Sequence, residues 1–312
     1  ISGSGNAGEV TTVAPSESFN YPYGVAVDAS GNVYVTDSYN NKVKKIATDG
    51  SVIILAPSES FNNPTGIAVD ALGNVYVVDT GNNKIKKIAG DGSVSILAPS
   101  ESFYNPNGIA LDASGNVYVV DTNNDKIKKI AKDGSVTILL LGSGGTYKGI
   151  AVDVSGNVYV TDSYLYFITK IATDGSVTRL TNSVEPTNGI AVDTSGNVYV
   201  VEGHRDRIKK ISGDGSVTTI LAPSEKFYDA TGVAVDASGN VYVAEFGNNK
   251  IKKIAAGTFL TGTAPTTVGT HTVTLTADDG NGGTATQPFT INVIDKPTVT
   301  SSAASSITAN SA

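Results

Sequence analysis

The chain has 312 residues and a formal net charge of −7, and it contains no Cys, Met or Trp. The negative charge argues against a general affinity for nucleic acid or anionic membranes, and the missing cysteines exclude disulfides, thiolate metal sites and cysteine nucleophiles. No segment approaches the roughly 18 apolar residues of a membrane-spanning helix, so membrane insertion is not expected.

One short phrase recurs along the chain. Variants of GIAVD return at intervals of 40 to 43 residues, and each interval holds strand-like runs separated by turns. A period of about 40 residues with four strands per unit is typical of a β-propeller blade. Six such units predict an all-β, six-bladed propeller. The glycines that begin the six phrases are Gly24, Gly66, Gly108, Gly149, Gly189 and Gly232.

The third unit shows the anatomy of one blade. Its predicted strands are GIALD, VYVVD, KIKKIA and VTILL, at residues 108–112, 117–121, 126–131 and 136–140. These runs are rich in Val, Ile and Tyr, and the segments between them contain the Gly, Asn and Asp residues that favour tight turns. The pattern predicts a four-stranded antiparallel meander.

The two ends of the repeat region predict how the ring closes. GEVTTVAPSESF at residues 8–19 matches GSVTTILAPSEKF at 215–227, which contains a fourth strand and the loop after it. The sixth unit loses the pattern after its third strand, at 250–257. The N-terminal strand is therefore predicted to complete the sixth blade, with TFL at 258–260 as the competing candidate.

The repeated pattern P-x-G-I-A-V-D…G-N-V-Y-V-x-D…N-N-K-I-K-K-I…D-G-S-V resembles the NHL repeat. Six copies over residues 8–257 resemble an NHL-type six-bladed propeller, and residues 1–257 are predicted to form this domain. The resemblance implies the fold but no single activity, because such propellers include lyases, sensor domains, RNA-binding modules and interaction platforms.

The remainder of the chain has a different composition. HTVTLTA and TQPFTINV alternate around a glycine-rich turn and resemble the latter half of immunoglobulin-like or cadherin-like modules of bacterial surface proteins. A partial β-sandwich-like module is predicted at 258–296. Residues 297–312 resemble the opening strand of a fibronectin type III-like module and are predicted as a strand or linker. The turn ADDGNGG lacks the spacing of a calcium loop, which favours an ordinary hairpin over a metal site.

Polar residues that recur in every unit are predicted to serve the fold. The lysines of NKIKK are expected to lay their stems on apolar surface, with their heads in solvent and carboxylates of the neighbouring blade as partners. The aspartate that closes each first strand is expected to accept hydrogen bonds from the following turn. These aspartates are Asp28, Asp70, Asp112, Asp153, Asp193 and Asp236.

The loops between second and third strands, and those leading into each blade, are expected to share a face with the channel mouth. Departures from the repeat concentrate on this face in units four and five, where aromatic residues stand beside arginines and carboxylates. Such a surface suits a glycan or a protein partner. The alternative is that these two blades have drifted, with YLYF packing over a neighbouring loop. The predicted binding residues are Tyr147, Lys148, Tyr164, Glu202, His204, Arg205, Asp206 and Arg207.

The residues expected at the channel mouth argue against an enzyme. A resemblance to virginiamycin B-type lyases would imply catalytic histidines with a divalent cation, whereas the chain contains only His204 and His271. Calcium-dependent propeller hydrolases need Asp, Glu and Asn at the mouth. No catalytic residue, metal or cofactor is therefore predicted. The residues before the six repeat glycines, which are expected to line the mouth, are Tyr23, Thr65, Asn107, Lys148, Asn188 and Thr231.

The sequence thus predicts a non-enzymatic binding or adhesion module of a secreted or cell-surface bacterial protein. One alternative is a structural subunit of an extracellular filament, in which residues 258–312 add a strand to another copy of the chain. A second alternative is a divalent-metal-dependent lyase or hydrolase of the propeller class.

Overall fold

Six four-stranded antiparallel sheets and one two-stranded sheet make up the described part of the protein. The structure, a computed structural model, describes residues 8–141, 147–162, 166–181, 187–216, 218–256, 269–278 and 284–293. The chain divides into two units, Ile1–Ala256 and Gly257–Ala312. The first unit is the predicted six-bladed propeller, which is confirmed. No helix in the described ranges is long and apolar enough to cross a membrane.

Each blade is a meander of four strands that runs from the central channel to the rim. The inner strands are Pro22–Val27, Pro64–Val69, Ile109–Leu111, Tyr147–Val152, Thr187–Val192 and Ala230–Val235. The second strands are Val33–Asp37, Val75–Asp79, Val117–Asp121, Val158–Asp162, Val198–Glu202 and Val241–Glu245. The third strands are Lys42–Ile46, Lys84–Ile88, Lys126–Ile130, Phe167–Ile171, Arg207–Ile211 and Lys250–Ile254. The outer strands are Val52–Leu55, Val94–Leu97, Val136–Leu141, Val177–Thr181, Thr218–Leu221 and, for blade six, Val10–Val13.

The second strand of each blade is buried along its whole length. Neighbouring blades cover both of its faces, which is why it reads as a continuous apolar run such as VYVV instead of alternating. The outer strand is exposed on the rim, and Ile53 and Ile54 are 55% and 45% exposed. The sequence of each strand therefore reflects its distance from the channel.

Apolar clusters join each blade to the next. One of them packs Val33 and Val35 of blade one against Tyr242 and Ala244 of blade six. Further clusters occupy the other five junctions in the described residues. The core of the protein is thus a ring of interfaces between blades, and no single blade has a core of its own.

The N-terminal strand closes this ring. Val10–Val13 pairs antiparallel with the third strand of blade six, with Val10 opposite Ile254 and Val13 opposite Ile251. The prediction that the N-terminal strand completes blade six is confirmed. The competing segment 258–260 lies outside the described residues.

The repeat glycines allow the inner strands to approach one another closely. A Cβ atom at Gly108 would lie 2.5 Å from the carbonyl oxygen of Lys148 in the next blade. The same relation closes the ring, where a Cβ at Gly232 would lie 2.5 Å from the carbonyl oxygen of Tyr23. Glycine is required here because any side chain would meet the backbone of the adjacent blade.

The aspartates that follow the inner strands organise the turns, as predicted. Asp28 Oδ1 accepts hydrogen bonds from the backbone N–H groups of Ser30 and Asn32, both at 2.9 Å. Its Oδ2 accepts from the Asn32 amide and from the Tyr34 hydroxyl. Burial would raise the pKa of Asp28, but these hydrogen bonds outweigh it and hold the pKa below its ordinary value. The other five blades repeat this arrangement.

The second unit contains a two-stranded antiparallel hairpin. Gly269–Asp278 pairs with Thr284–Val293 over ten residues, from Gly269 opposite Val293 to Asp278 opposite Thr284. These strands contain the two alternating runs seen in the sequence. The predicted partial modules at 258–296 and 297–312 extend beyond the described residues.

Candidate functional site

The second strand of every blade ends in a buried carboxylate that anchors the loops of one face. In blade two, Asp79 Oδ1 accepts the backbone N–H of Asn62 at 2.7 Å, which ties the loop entering the blade to the loop after the second strand. Both kinds of loop therefore lie on the face where the inner strands begin. In four blades a one-turn 3-10 helix follows the carboxylate, at Ser38–Asn40, Thr80–Asn82, Thr122–Asn124 and Gly203–Arg205.

A buried lysine completes this anchor. Lys86 Nζ lies 2.6 Å from Asp79 Oδ2 and 2.7 Å from Glu59 Oε1, and 4.9 Å from the centre of the Phe61 ring. Burial alone would lower the pKa of Lys86, but the two carboxylates outweigh it and raise the pKa. The expectation that the lysines of NKIKK place their ammonium groups in solvent is therefore wrong for Lys86. The same arrangement holds the lysines Lys44, Lys128 and Lys252.

The mouth of the central channel is a ring of polar side chains. Five of the six predicted mouth residues line it. The sixth, Thr65, is not part of the lining, and its hydroxyl donates a hydrogen bond to the Asn107 carbonyl oxygen at 3.0 Å. The cavity has a volume of about 60 Å³, which holds only a few water molecules. A larger ligand would therefore extend out of this cavity, over the mouth. The polar lining residues are Tyr23, Asn107, Lys148, Asn188 and Thr231.

Tyr23 reaches across the mouth from blade one to blade three. Its hydroxyl lies 3.3 Å from Asn107 Oδ1, to which it donates. Burial raises the pKa of Tyr23, and the hydrogen bond with Asn107 only partly offsets this. The phenol therefore stays protonated at neutral pH and is a hydrogen-bond donor at the mouth.

Lys148 is the one charged side chain in the lining of this channel mouth. It is partly buried, and within the described residues its ammonium has neither an ion pair nor a hydrogen bond. Burial lowers its pKa. Unlike the anchoring lysines, Lys148 can offer its charge to a ligand.

Several residues of the predicted binding set belong to the packing of the blades. The Tyr147 ring is 8% exposed and packs with Val120 and Ile127 in the core between blades three and four. Glu202 is fully buried and pairs with Arg207 and with Lys209, whose Nζ lies 2.7 Å away.

The rest of the predicted set is divided between the surface and the undescribed part of the chain. Arg205 is exposed, and Asp206 adopts a left-handed backbone with φ of 53° while its carbonyl oxygen accepts the N–H of Phe227. Tyr164 and the side chain of His204 lie outside the described residues. Partner binding by this set remains a prediction, and of its described members only Lys148 lines the channel.

Sequence reasoning missed an aromatic cluster on the same face, formed by Tyr21, Tyr39 and Phe246. The ring of Tyr21 lies 4.5 Å from that of Tyr39 and 4.6 Å from that of Phe246, measured between centres. These residues belong to blades one and six, which meet only when the ring closes. The signal in the sequence was that blade two has Asn63 and Gly81 where blade one has Tyr21 and Tyr39.

The donors at the mouth do not suit a divalent cation. They are neutral oxygens and amides beside the ammonium of Lys148, which repels a cation, whereas Mg²⁺ and Ca²⁺ favour carboxylates. Over the described ranges, no three His, Asp or Glu side chains converge closely enough to hold a metal ion. The residues of the mouth therefore do not fit a divalent metal ion.

The chain is similar to known lyases and lactonases. A sequence model of the virginiamycin B lyase family matches residues 8–281. No curated protein sequence matches the chain.

Three solved structures illustrate the shared fold. A streptogramin B lyase is 18% identical with a TM-score of 0.63, covering 79% of this chain and 97% of its own. Virginiamycin B lyase from Staphylococcus aureus is 17% identical with a TM-score of 0.61, covering 79% and 98%. A gluconolactonase from Xanthomonas campestris is 17% identical with a TM-score of 0.63, covering 78% and 88%.

The family match overturns the prediction of a non-enzymatic adhesion module, and with it the filament-subunit alternative. The second alternative, a lyase or hydrolase of the propeller class, agrees better with the family and with these structures. That prediction was wrong because the lack of a histidine set does not imply the lack of a catalytic site. A catalytic site can also be built from groups other than histidine.

Proposed function

This chain belongs to the virginiamycin B lyase family, and we propose that it is an enzyme of the propeller lyase and lactonase class. Its substrate lies over the mouth of the central channel. The observation that supports this location is the ammonium of Lys148, which stands in a ring of neutral polar groups and has no partner among the described residues.

The chemistry of the class explains why one ammonium is useful there. Opening an ester by elimination and hydrolysing a lactone both build negative charge on an oxygen as the C–O bond breaks or the carbonyl is attacked. A partly buried cation stabilises that charge more strongly than water does, because the surroundings have a low dielectric constant. Lys148 is proposed to donate a hydrogen bond to this oxygen.

The neighbouring groups are proposed to orient the substrate. The Tyr23 hydroxyl and the Asn107 amide are held in contact across the mouth, so they present donors and acceptors at a fixed position. Because the pKa of Tyr23 is raised by burial, its role is that of a donor and not of a base. A substrate carbonyl or hydroxyl group over the mouth would meet both side chains.

The proposal is tested by turnover of candidate esters. The purified protein is incubated with gluconolactone and with the streptogramin quinupristin, and the products are analysed by mass spectrometry. Hydrolysis adds the mass of one water, whereas elimination within a ring leaves the mass unchanged. We expect turnover of one of them, and Lys148→Asn should lower kcat/KM by about 10²-fold to 10³-fold.

The repeat offers matched variants for this test. Lys148→Asn installs the residue that blades three and five carry, Asn107 and Asn188, so the fold should be retained. Lys132→Thr removes an exposed lysine from a turn and installs the residue of blade one, Thr48. Turnover by Lys148→Asn equal to that of Lys132→Thr, or no turnover of either ester by the native chain, would contradict the proposal.

The repeat type, the C-terminal modules, the location and the partners are proposed from the sequence pattern alone. We propose that the six units are NHL-type repeats and that the region after residue 257 contains partial immunoglobulin-like and fibronectin type III-like modules. The composition of this region supports an extracellular or cell-surface location. Its alternating strands support contact with other copies of the chain, and the variable loops of blades four and five support a glycan or protein partner.

A further inference from the structure

The aromatic cluster of Tyr21, Tyr39 and Phe246 exposes apolar surface beside the channel mouth. Tyr39 is 58% exposed and Tyr21 is 36% exposed. The rings are tilted, with planes at 50° for Tyr21 and Tyr39 and at 47° for Tyr21 and Phe246. A tilted set of rings offers a ligand both a ring face and a ring edge.

Tyr21 adopts a backbone conformation that is unfavourable for its residue type. Its φ is 51°, in the left-handed region, where bulky side chains are rare and Asn and Asp are enriched. Blades two, three and six have Asn or Asp at this position, namely Asn63, Asn105 and Asp229, with φ of 46°, 49° and 44°.

The hydrogen bond to the backbone of Tyr21 has a counterpart in blade two. The Asn249 side-chain oxygen accepts the N–H of Tyr21 at 2.7 Å, as Asn41 does for Asn63. This hydrogen bond explains the left-handed backbone at residue 21, but it does not explain why the residue is a tyrosine. Strained residues that the surrounding structure maintains are concentrated at binding and catalytic sites.

The cluster is continuous with the channel mouth. The ring of Tyr23 lies 6.4 Å from that of Phe246 in an edge-to-face arrangement, and the Tyr23 hydroxyl contacts Asn107 of blade three at the mouth. A ligand held over the mouth can therefore touch the cluster with another part of its structure. Among the described contacts, no cation lies over the rings of Tyr21, Tyr39 or Phe246.

We propose that the aromatic cluster binds an aromatic ring of the substrate, beside the groups that act on its ester. The inference rests on the proposed function, because that function identifies the ligand as a substrate. Tilted rings favour an aromatic guest because it can stack on one ring while its edge meets another, the arrangement that aromatic pairs prefer.

The probe is N-acetyltryptophanamide, an uncharged indole. Because the chain has no Trp, light that excites only indole reports the probe alone, and its fluorescence anisotropy measures binding to the full-length protein. Tyr39→Gly and Tyr21→Asn install residues that other blades carry, Gly81 and Asn63, so both variants should fold. Each is expected to weaken binding of the probe at least fivefold.

A tyrosine elsewhere on this face provides the matched control. Tyr104 is 57% exposed and its counterpart in blade two is Asn62, but the described ring contacts include none at Tyr104. Tyr104→Asn should leave binding unchanged. Unchanged affinity in Tyr21→Asn and Tyr39→Gly, equal loss in Tyr104→Asn, or displacement of the probe by methyl glucoside would overturn the proposal.

The outcome for the cluster is separable from the outcome for the enzyme. Probe binding that depends on Tyr21 and Tyr39 without turnover of any ester contradicts the proposed function and leaves the ring site supported. Turnover that depends on Lys148, with probe affinity unaffected by the cluster variants, contradicts the ring site and leaves the proposed function supported. Thermal unfolding of each variant shows that the binding data come from folded protein.

Discussion

Charged residues of this propeller fall into two groups, those held in fixed pairs and those left to solvent or ligand. Lys86 is buried between Asp79 and Glu59, and such a pair is costly to break because it leaves an uncompensated buried charge. Lys148 is partly buried with no such partner in the described residues. The position of a lysine within the repeat decides which group it joins.

The pH dependence of catalysis should show the state of Lys148. Because burial lowers its pKa below the ordinary value of 10.5, the ammonium loses its proton at a lower pH than other lysines do. We expect kcat/KM for the substrate to fall as the pH rises through this lowered pKa. A pH profile of kcat/KM, measured where the protein remains folded, provides the test.

Lys148→Arg is the control for this profile. The guanidinium keeps its charge over the accessible range, with a pKa above about 12, so the alkaline decrease should disappear even if the rate itself is lower. An alkaline decrease that is identical in the native chain and in Lys148→Arg would assign it to another group.

At the scale of single elements, the inner strand and its turn explain most of the repeated residues. The aspartate after the strand binds its own turn, and the glycine near its start admits the backbone of the next blade. Both residues act through backbone geometry, which tolerates little change. The loops of the mouth face, by contrast, vary from blade to blade and carry the candidate site.

Gly66→Ala should disrupt the packing of blade two on blade three. Its Cβ would lie 2.4 Å from the Asn107 carbonyl oxygen, a backbone atom that cannot move aside without shifting the strand. We expect a loss of about 3 kcal/mol in the free energy of unfolding, measured with urea. Gly90→Ala is the control, because no atom lies within 4 Å of its Cβ, and it should be nearly neutral. Equal stability of the two variants would disprove the close-approach explanation.

At the scale of the whole molecule, the propeller depends on closure of its ring. Each apolar cluster lies between two blades, so an open ring leaves two faces exposed to water. The N-terminal strand contributes to the clusters on both sides of blade six, through Val13 and Ala14 on one side and Val10 on the other. Closure also creates the aromatic cluster beside the mouth.

Removal of residues 1–14 should therefore destabilise the whole propeller. The deletion removes the outer strand of blade six and its pairing with Lys250–Ile254. We expect Tm to fall by about 10 °C or more, because burial of several apolar side chains is lost. Deletion of residues 1–7 alone keeps the strand and should leave Tm unchanged. A Tm that is the same for both deletions would show that the strand does not close the ring.

The fold could be predicted from the sequence because it is repetitive. Six copies of one phrase establish the blade count, and the match between residues 8–19 and 215–227 establishes the closing strand. The site could not be predicted in the same way, because the divergence of copies four and five does not distinguish binding residues from packing residues. Tyr147 and Glu202 diverge there, yet both are buried in the packing of the blades.

By itself the sequence determined the architecture, the turn aspartates and the residues expected around the channel. Periodicity and turn chemistry are local, so they can be read along the chain. Only the tertiary structure decided that Lys86 is buried in an ion pair while Lys148 has none with the described residues, and that Tyr21 meets Phe246 more than 200 residues away. The physical reason is that these contacts depend on how blades pack and on the closure of the ring, which brings together residues that no sequence pattern places side by side.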